Sequence, residues 1–207
     1  MGEAGGRVAG LGPWRTVLRA AIVGPMRHRL LAAIVAGSIL ATGPAAWSQQ
    51  PSRPPDIFFA PTWEPVVYRM LALAEVTKED VVYDLGSGDG RIVILAAQKY
   101  GVRGVGIEID PRLVAISRQV AREAGLADRV TFIEGDLFKA DISEATVVTL
   151  FLSHGVNRDL EPKLRRELKP GTRIVSHQFP IAQWAPEKTV RAPEDGTELF
   201  LWTVPVR

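Results

Sequence analysis

Val81-Val82-Tyr83-Asp84-Leu85-Gly86-Ser87-Gly88-Asp89-Gly90-Arg91 is the stretch on which the reading of this chain turns. Its first five residues form a short, mostly apolar run of the kind that makes a buried strand. Gly86 to Gly90 follow as a glycine-rich loop, and Arg91 to Lys99 read as a helix. A loop of this kind between a strand and a helix lets a ligand approach the backbone closely. By itself it fits several nucleotide-type ligands.

The same alternation repeats downstream. Gly104 to Ile109 reads as a strand, Pro111 to about Ala124 as a helix with proline in its first turn, and Val130 to Glu134 as a third strand. Thr146 to Leu152 is a fourth strand, Asp159 to Leu168 a helix stopped by Pro170-Gly171, and Arg173 to His177 a fifth strand. The end differs. Thr189 to Arg191 and Leu199 to Val206 flank a turn at Asp195-Gly196 with no helix between them, which predicts an antiparallel hairpin. Upstream, Pro61-Thr62 opens a helix that Thr62 is placed to cap. Its apolar stripe is Val66, Met70, Leu73 and Ala74, widened by Val67 and Leu71. The prediction is an α/β fold: a mostly parallel seven-stranded sheet that ends in an antiparallel hairpin, with helices on both faces. Ligands of such sheets sit beyond the carboxyl ends of the strands, where the strand order reverses.

The loop chemistry narrows the ligand. The spacing is Gly-x-Gly-x-Gly, and two carboxylates, Asp84 and Asp89, lie in or beside the loop. A pyrophosphate on the helix N-terminus would be repelled by them, which disfavours a nicotinamide dinucleotide. S-adenosylmethionine (SAM) has no phosphate and carries an ammonium and a sulfonium, so the same carboxylates attract it. Glu108 follows Gly86 by 22 residues, a separation that suits a carboxylate accepting from both ribose hydroxyls. Asp136, in Gly135-Asp136-Leu137, is placed for the adenine amino group. The candidate cofactor site is thus Asp84, Gly86, Ser87, Gly88, Asp89, Gly90, Glu108 and Asp136. Each has a plainer role open to it. Asp84 or Asp89 could cap a helix or brace a turn, Asp136 could be a turn residue, and Asp110 before Pro111 is read as a helix cap.

At this point the residues resemble a known family. The glycine-loop stretch, Gly106-Ile107-Glu108-Ile109-Asp110 and Gly135-Asp136-Leu137-Phe138 are similar to class I, Rossmann-like SAM-dependent methyltransferases. Pro61-Thr62, Lys163-Leu164, Glu167-Leu168, Gly171 to Ser176 and Phe179-Pro180 narrow the resemblance. They point to the lysine N-methyltransferases of adenine nucleotide translocase and ATP synthase subunit c and their bacterial relatives. The resemblance covers about residues 61–184. It implies SAM held by Asp84, Gly86, Gly88, Glu108 and Asp136, and a protein lysine as methyl acceptor, with a membrane protein among the candidates. One departure is Ser153-His154-Gly155, where a Leu-Pro-Ser type segment is expected.

Methyl transfer to an amine needs alignment more than it needs a nucleophile or a metal, and no metal site is expected. A lysine acceptor must be neutral, which costs roughly 4–5 kcal/mol at pH 7 from its reference pKa. A dry site beside a sulfonium lowers that cost. Ser153 and His154 are the candidate catalytic residues, expected to touch the acceptor. His177 is a second candidate proton acceptor, and Phe179 and Trp184 are candidates for the wall of the acceptor channel. The chain lacks the Asn/Asp-Pro-Pro-aromatic segment of adenine-N6 and glutamine-N5 methyltransferases. Methylation of a small quinone or lipid precursor, and a non-catalytic SAM-binding module, are the competing readings.

Composition bounds the rest. The 207 residues are 46% hydrophobic and contain no cysteine, which excludes disulfides and thiolate chemistry. Residues 1–48 carry Arg7, Arg15, Arg19, Arg27 and Arg29 against Glu3, whereas the remainder is slightly acidic. No basic run follows residue 48, so a nucleic-acid substrate is not expected. Met26-Arg27-His28-Arg29, the apolar run from Leu30 to Thr42 and Ala46-Trp47-Ser48 have the layout of a signal peptide. The expected organisation is an upstream extension over 1–25 with Met26 as the true start, a signal peptide or membrane anchor over 26–48, a proline-rich linker over 49–60 and the catalytic domain over 61–207. Export to the periplasm or membrane anchorage follows, and an anchor with the domain on the cytoplasmic side is the alternative.

Overall fold

The computed structural model describes residues 54–56 and 58–206. The expected signal peptide or anchor over 26–48 lies outside the described residues. The described residues form one compact unit. Helix α1 spans Glu64–Leu73, followed by β1 (Val81–Leu85), α2 (Arg91–Tyr100), β2 (Arg103–Glu108), α3 (Pro111–Glu123) and β3 (Val130–Glu134). Then come β4 (Val147–Leu150), α4 (His154–Glu167), β5 (Arg173–His177), β6 (Lys188–Arg191) and β7 (Glu198–Thr203).

The strands make one seven-stranded sheet of order β3-β2-β1-β4-β5-β7-β6. The first five pair in parallel, while β7 runs antiparallel to both β5 and β6. The order reverses between β1 and β4, so the crevice predicted for a ligand lies beyond Leu85 and Leu150.

Alternation along β1 sorts the two layers. Tyr83 and Leu85 join Ile107, Leu150 and Ile174 in a core closed by Leu160 and Leu164 of α4. Each fully buried leucine contributes about 2 kcal/mol. The opposite face carries α2 and α3, with Phe132 of β3 packed against Gly90 and Gly106. Val66, Val67, Met70 and Leu71 of α1 are buried as their spacing predicts, whereas Leu73 is half-buried.

Two helix starts differ from the sequence expectation. Trp63, not Thr62, is the N-cap of α1, and it makes no side-chain cap bond. Thr62 is buried and bonds the His177 ring instead. Helix α4 begins at His154, five residues ahead of the expected Asp159, with Ser153 as its N-cap accepting from the Val156 amide at 3.3 Å. Pro162 lies inside the helix, where a proline costs about 3 kcal/mol. Burial of Val156, Asn157, Leu160, Lys163 and Leu164 carries the helix through it. Asp110 caps α3 as expected, accepting from the Arg112 amide at 2.9 Å. Among the described residues no helix is long and apolar enough to cross a membrane.

Candidate functional site

A cavity of about 420 Å³ opens at the carboxyl ends of β1, β2 and β4. The glycine loop forms its floor. Gly86 and Ser87 both donate their amides to the Ile107 carbonyl at 2.9 Å, which ties the loop to β2. Gly86, Gly88 and Gly90 all have positive φ, a conformation that costs an L side chain strain. Packing adds to this at Gly90, where a Cβ would lie 2.5 Å from the Phe132 ring.

Glu108 closes the loop from the β2 side. Its Oε2 accepts from the Gly88 amide at 2.8 Å, and its Oε1 accepts from Ile109 and Asp110 amides at 2.8 and 2.9 Å. Three amides therefore fix the carboxylate at the cavity wall, with lone pairs left for hydroxyl donors.

Asp84 is the penultimate residue of β1 and is buried. Burial is the main influence on it. The nearby Glu108 and Asp89 charges add to burial, the bond from Thr149 Oγ1 at 2.7 Å opposes it, and the carboxyl is pushed up to about 7. A cation in the cavity would restore its charge. Asp89 also lines the cavity, but its charge is matched by Arg91, whose Nε and Nη2 reach the carboxylate at 3.0 and 2.5 Å. The sequence reading credited Asp89 with attracting the ligand. The geometry also gives it the task of holding Arg91.

Asp84, Gly86, Ser87, Asp89 and Glu108 thus meet at the cavity, with Gly88 and Gly90 shaping the loop beneath it. Asp136 stands apart. Its neighbours Gly135 and Leu137 line the cavity, while its Oδ1 accepts from the Phe138 amide at 3.0 Å in the turn arrangement anticipated as its plainer role. Leu152 and Val156 line the cavity, but Ser153 and His154 between them are not among the lining residues. Ser153 is occupied as the α4 cap. The exposed His154 ring packs edge-on against Phe179 at 5.1 Å. Phe179 stacks in turn near Phe151, which does line the wall. His177 is buried behind Phe151, 4.1 Å between ring centroids, and burial pulls its pKa down against an opposing pull from Asp195. Trp184 packs on the hydrophobic core, its carbonyl accepting from the Trp202 indole at 2.7 Å.

Sequence reasoning missed the other wall. Pro55, Asp56, Phe58, Phe59, Ala60, Pro61 and Thr62 line the cavity, although most of them fall in the stretch read as linker. Phe59 lies over the glycine loop so closely that a Cβ on Gly88 would come within 2.3 Å of its ring. The signal was the adjacent pair Phe58-Phe59, out of place in a solvated proline-rich connector.

The fit to SAM can be tested on these residues. Glu108 presents acceptors to paired hydroxyls. Asp84 regains its charge beside a cation. Ser87 lines the cavity, but its Oγ is buried against Gly106, with no hydrogen-bond partner among the described residues. No group of three His, Asp or Glu spaced for a metal occurs among the described residues. A doubly wound sheet with β7 reversed at one edge, carrying this acidic nucleoside site at its switch point, defines a Rossmann-like SAM-dependent methyltransferase.

The comparisons with known proteins agree. The profile of the family described as "ANTKMT methyltransferase domain" matches residues 84–188. A protein-lysine N-methyltransferase of Saccharolobus islandicus (strain REY15A) is 48% identical over 143 residues, which is 69% of this chain and 88% of that protein. The chain belongs to the ANTKMT methyltransferase domain family. The adenine nucleotide translocase lysine N-methyltransferase of Mus musculus is 44% identical over 108 residues, and the chain spans about half of that enzyme's length (47%). A crystal structure described as an RNA methyltransferase from Salinibacter ruber in complex with S-adenosyl-L-homocysteine is 58% identical, with a TM-score of 0.69. It covers 72% of this chain and 95% of that one.

Proposed function

We propose that this chain is a SAM-dependent methyltransferase that acts on lysine side chains of protein. The observation that carries the reading is the charge of the cavity wall. Asp56, Asp84, Asp89, Glu108 and Asp110 line it, against two cations, Arg91 and Arg112, each forked onto a carboxylate. A wall of this sign favours an acceptor that arrives as a cation and disfavours a phosphate backbone, whose binding needs basic groups to displace counterions. The lysine specificity of the Saccharolobus and mouse relatives supports the same acceptor.

The chemistry asked of the residues is placement. Asp84 and Glu108 hold the cofactor's cationic and hydroxyl groups, the glycine loop lets it lie against the backbone, and Phe59 and Phe151 exclude water from the transfer path. SAM, when bound, supplies the activated methyl group. Dryness also favours the neutral acceptor amine. The exposure of His154 beside Phe179 supports contact with a macromolecular acceptor rather than with the cofactor.

RNA is the second reading, favoured by the description of the Salinibacter structure. Tritiated SAM incubated with the protein and a lysate decides between them. The expected label is sensitive to protease, resistant to RNase and recovered as methyl-lysine. RNase-sensitive label would replace lysine with RNA, and label in neither would point to the small-molecule acceptor. Fractionating the same lysate tests the further proposal that the substrate is a membrane protein. Carbonate extraction of the full chain from membranes tests whether residues 26–48 anchor it.

A further inference from the structure

A line of hydrogen bonds runs from the cavity wall to the surface, through Thr62, His177, Thr197 and Asp195. Thr62 Oγ1 and His177 Nδ1 are 3.3 Å apart, and His177 Nε2 lies 2.9 Å from Thr197 Oγ1. Thr197 Oγ1 donates to Asp195 Oδ1 at 2.6 Å, and the Thr197 amide donates to the same oxygen at 2.9 Å. His177 and Thr62 are buried, Thr62 and Phe151 line the cavity, and the Arg91 guanidinium fixes the Thr62 carbonyl at 3.1 Å.

The direction of every donor in this line follows from counting hydrogens. A threonine hydroxyl has one hydrogen to give. At 2.6 Å from an acceptor-only carboxylate, the Thr197 hydrogen is committed to Asp195. Thr197 Oγ1 can then only accept from His177, so Nε2 carries the imidazole proton. A neutral imidazole protonated at Nε2 has an acceptor at Nδ1. The group facing Nδ1 is the Thr62 hydroxyl, which must donate. Its single hydrogen is thereby committed to His177, and its lone pairs remain to accept. The neighbours of His177 on each packed element are Thr62 before α1, Phe151 after β4, and Thr197 with Asp195 in the β6–β7 turn. Asp195, 3.8 Å from Nε2, is the charged group among them.

We infer that Thr62 Oγ1 is the hydrogen-bond acceptor that receives an N–H of the methyl acceptor, and that His177, Thr197 and Asp195 are positioning residues that set its polarity. The inference rests on the reading of the acceptor as an amine and deepens it. An attacking amine must aim its lone pair at the methyl carbon, so its hydrogens need acceptors elsewhere. A wall hydroxyl with its hydrogen already committed supplies one. An acceptor that presents only oxygen lone pairs finds no donor there, so the device favours nucleophiles that still carry hydrogen, as a lysine amine does.

Two measurements test this on the full chain. The first is nitrogen NMR of protein labelled at its three histidines, with the His177 signal assigned by its loss in His177→Gln. The expected His177 is neutral and protonated at Nε2, and Thr197→Val removes that preference. A His177 protonated at Nδ1 overturns the inference whatever the substrate is, because the line would then point inward. The second is methyl transfer from tritiated SAM to poly-L-lysine. Thr62→Val is expected to lower kcat roughly tenfold to a hundredfold, with SAM affinity by titration within about twofold. Thr62→Ser should recover most of the loss. Equal turnover by Thr62→Val and the parent chain overturns the inference. If the parent chain labels no amine at all, the lysine reading fails separately.

Discussion

Asp89 and Arg91 form a two-pronged ion pair, and the same guanidinium extends Nη1 to the carbonyl of Thr62 at 3.1 Å. One side chain thereby connects the glycine loop to the segment ahead of α1 that forms the opposite wall of the cavity. A lysine at 91 could reach one of those two partners but not both in the same forked geometry. Arg91→Lys is expected to lower methyl transfer about tenfold by loosening Thr62, with a smaller change in SAM affinity. Steady-state kinetics beside calorimetric titration of SAM would show the split. Equal losses in both would mean that the pair serves the cofactor alone.

The pH dependence of cofactor binding should follow Asp84. Its carboxyl is pushed up to about 7 by burial, so near neutrality a large fraction is protonated in the ligand-free protein. Binding a cation draws the proton off. SAM affinity should therefore rise with pH up to about 7 and level off above it, falling by up to about tenfold per unit below. Calorimetry near pH 6.5 in buffers of different ionisation enthalpy should show proton release on binding, and Asp84→Asn should abolish it. The sign for stability is the reverse. The folded value exceeds the ordinary 3.8, so Asp84 disfavours the folded state increasingly as pH rises from about 4 through 7. Asp84→Asn should accordingly raise the melting temperature of the ligand-free protein at pH 8 while weakening SAM.

Gly90 and Gly101 separate backbone strain from packing. Both have positive φ, 80° and 71°, but a Cβ on Gly101 would meet nothing within 4 Å. Gly101→Ala is expected to cost about 1 kcal/mol. Gly90→Ala adds overlap with Phe132 and Ser117 and should cost about 2–4 kcal/mol. Chemical denaturation of both variants measures the difference. Equal costs would mean that the Gly90 pocket relaxes freely.

At the opposite end of β1, buried Asp80 accepts from the Thr77 amide at 2.8 Å and Thr146 Oγ1 at 2.6 Å, and pairs with Arg173. Burial works to raise its pKa. The bonds from Thr146 and Thr77 and the Arg173 charge together outweigh it, so the value lies below 3.8. Asp80→Ala should cost about 3 kcal/mol at pH 7. A depressed folded value means that this stability is present above the ordinary pKa and lost as pH falls through the folded one. The gap between the variant and its parent should therefore close below about pH 4. SAM affinity should hold, since Asp80 is remote from the cavity.

Ser153 and His154 are adjacent but differently employed. Ser153→Ala removes the α4 cap and should cost about 1 kcal/mol of stability. His154→Ala leaves the cap intact and strips the exposed ring from Phe179. It should lower transfer to a protein acceptor while SAM affinity stays within about twofold. Unchanged transfer by His154→Ala would remove that residue from the acceptor surface.

The sequence alone determined the order of elements and the character of the site. An apolar run that ends in Asp84, a loop with glycine at every second position and an acid 22 residues on allow few arrangements, because strand period, positive-φ loop and carboxylate placement are all local properties. The hairpin at the end was legible for the same reason: a turn signal at Asp195-Gly196 between two short strand-like runs needs no distant partner. Tertiary packing alone decided the start of α4, where Val156 and Asn157 are buried behind the Ser153 cap. It also drew the supposed linker across the cavity through the contact of Phe59 with Gly88. Thr62, read as a helix cap, became a partner of His177, a residue 115 positions away in the chain. No sequence period reports such a pairing, because its geometry exists only after α1 has packed on the end of β5.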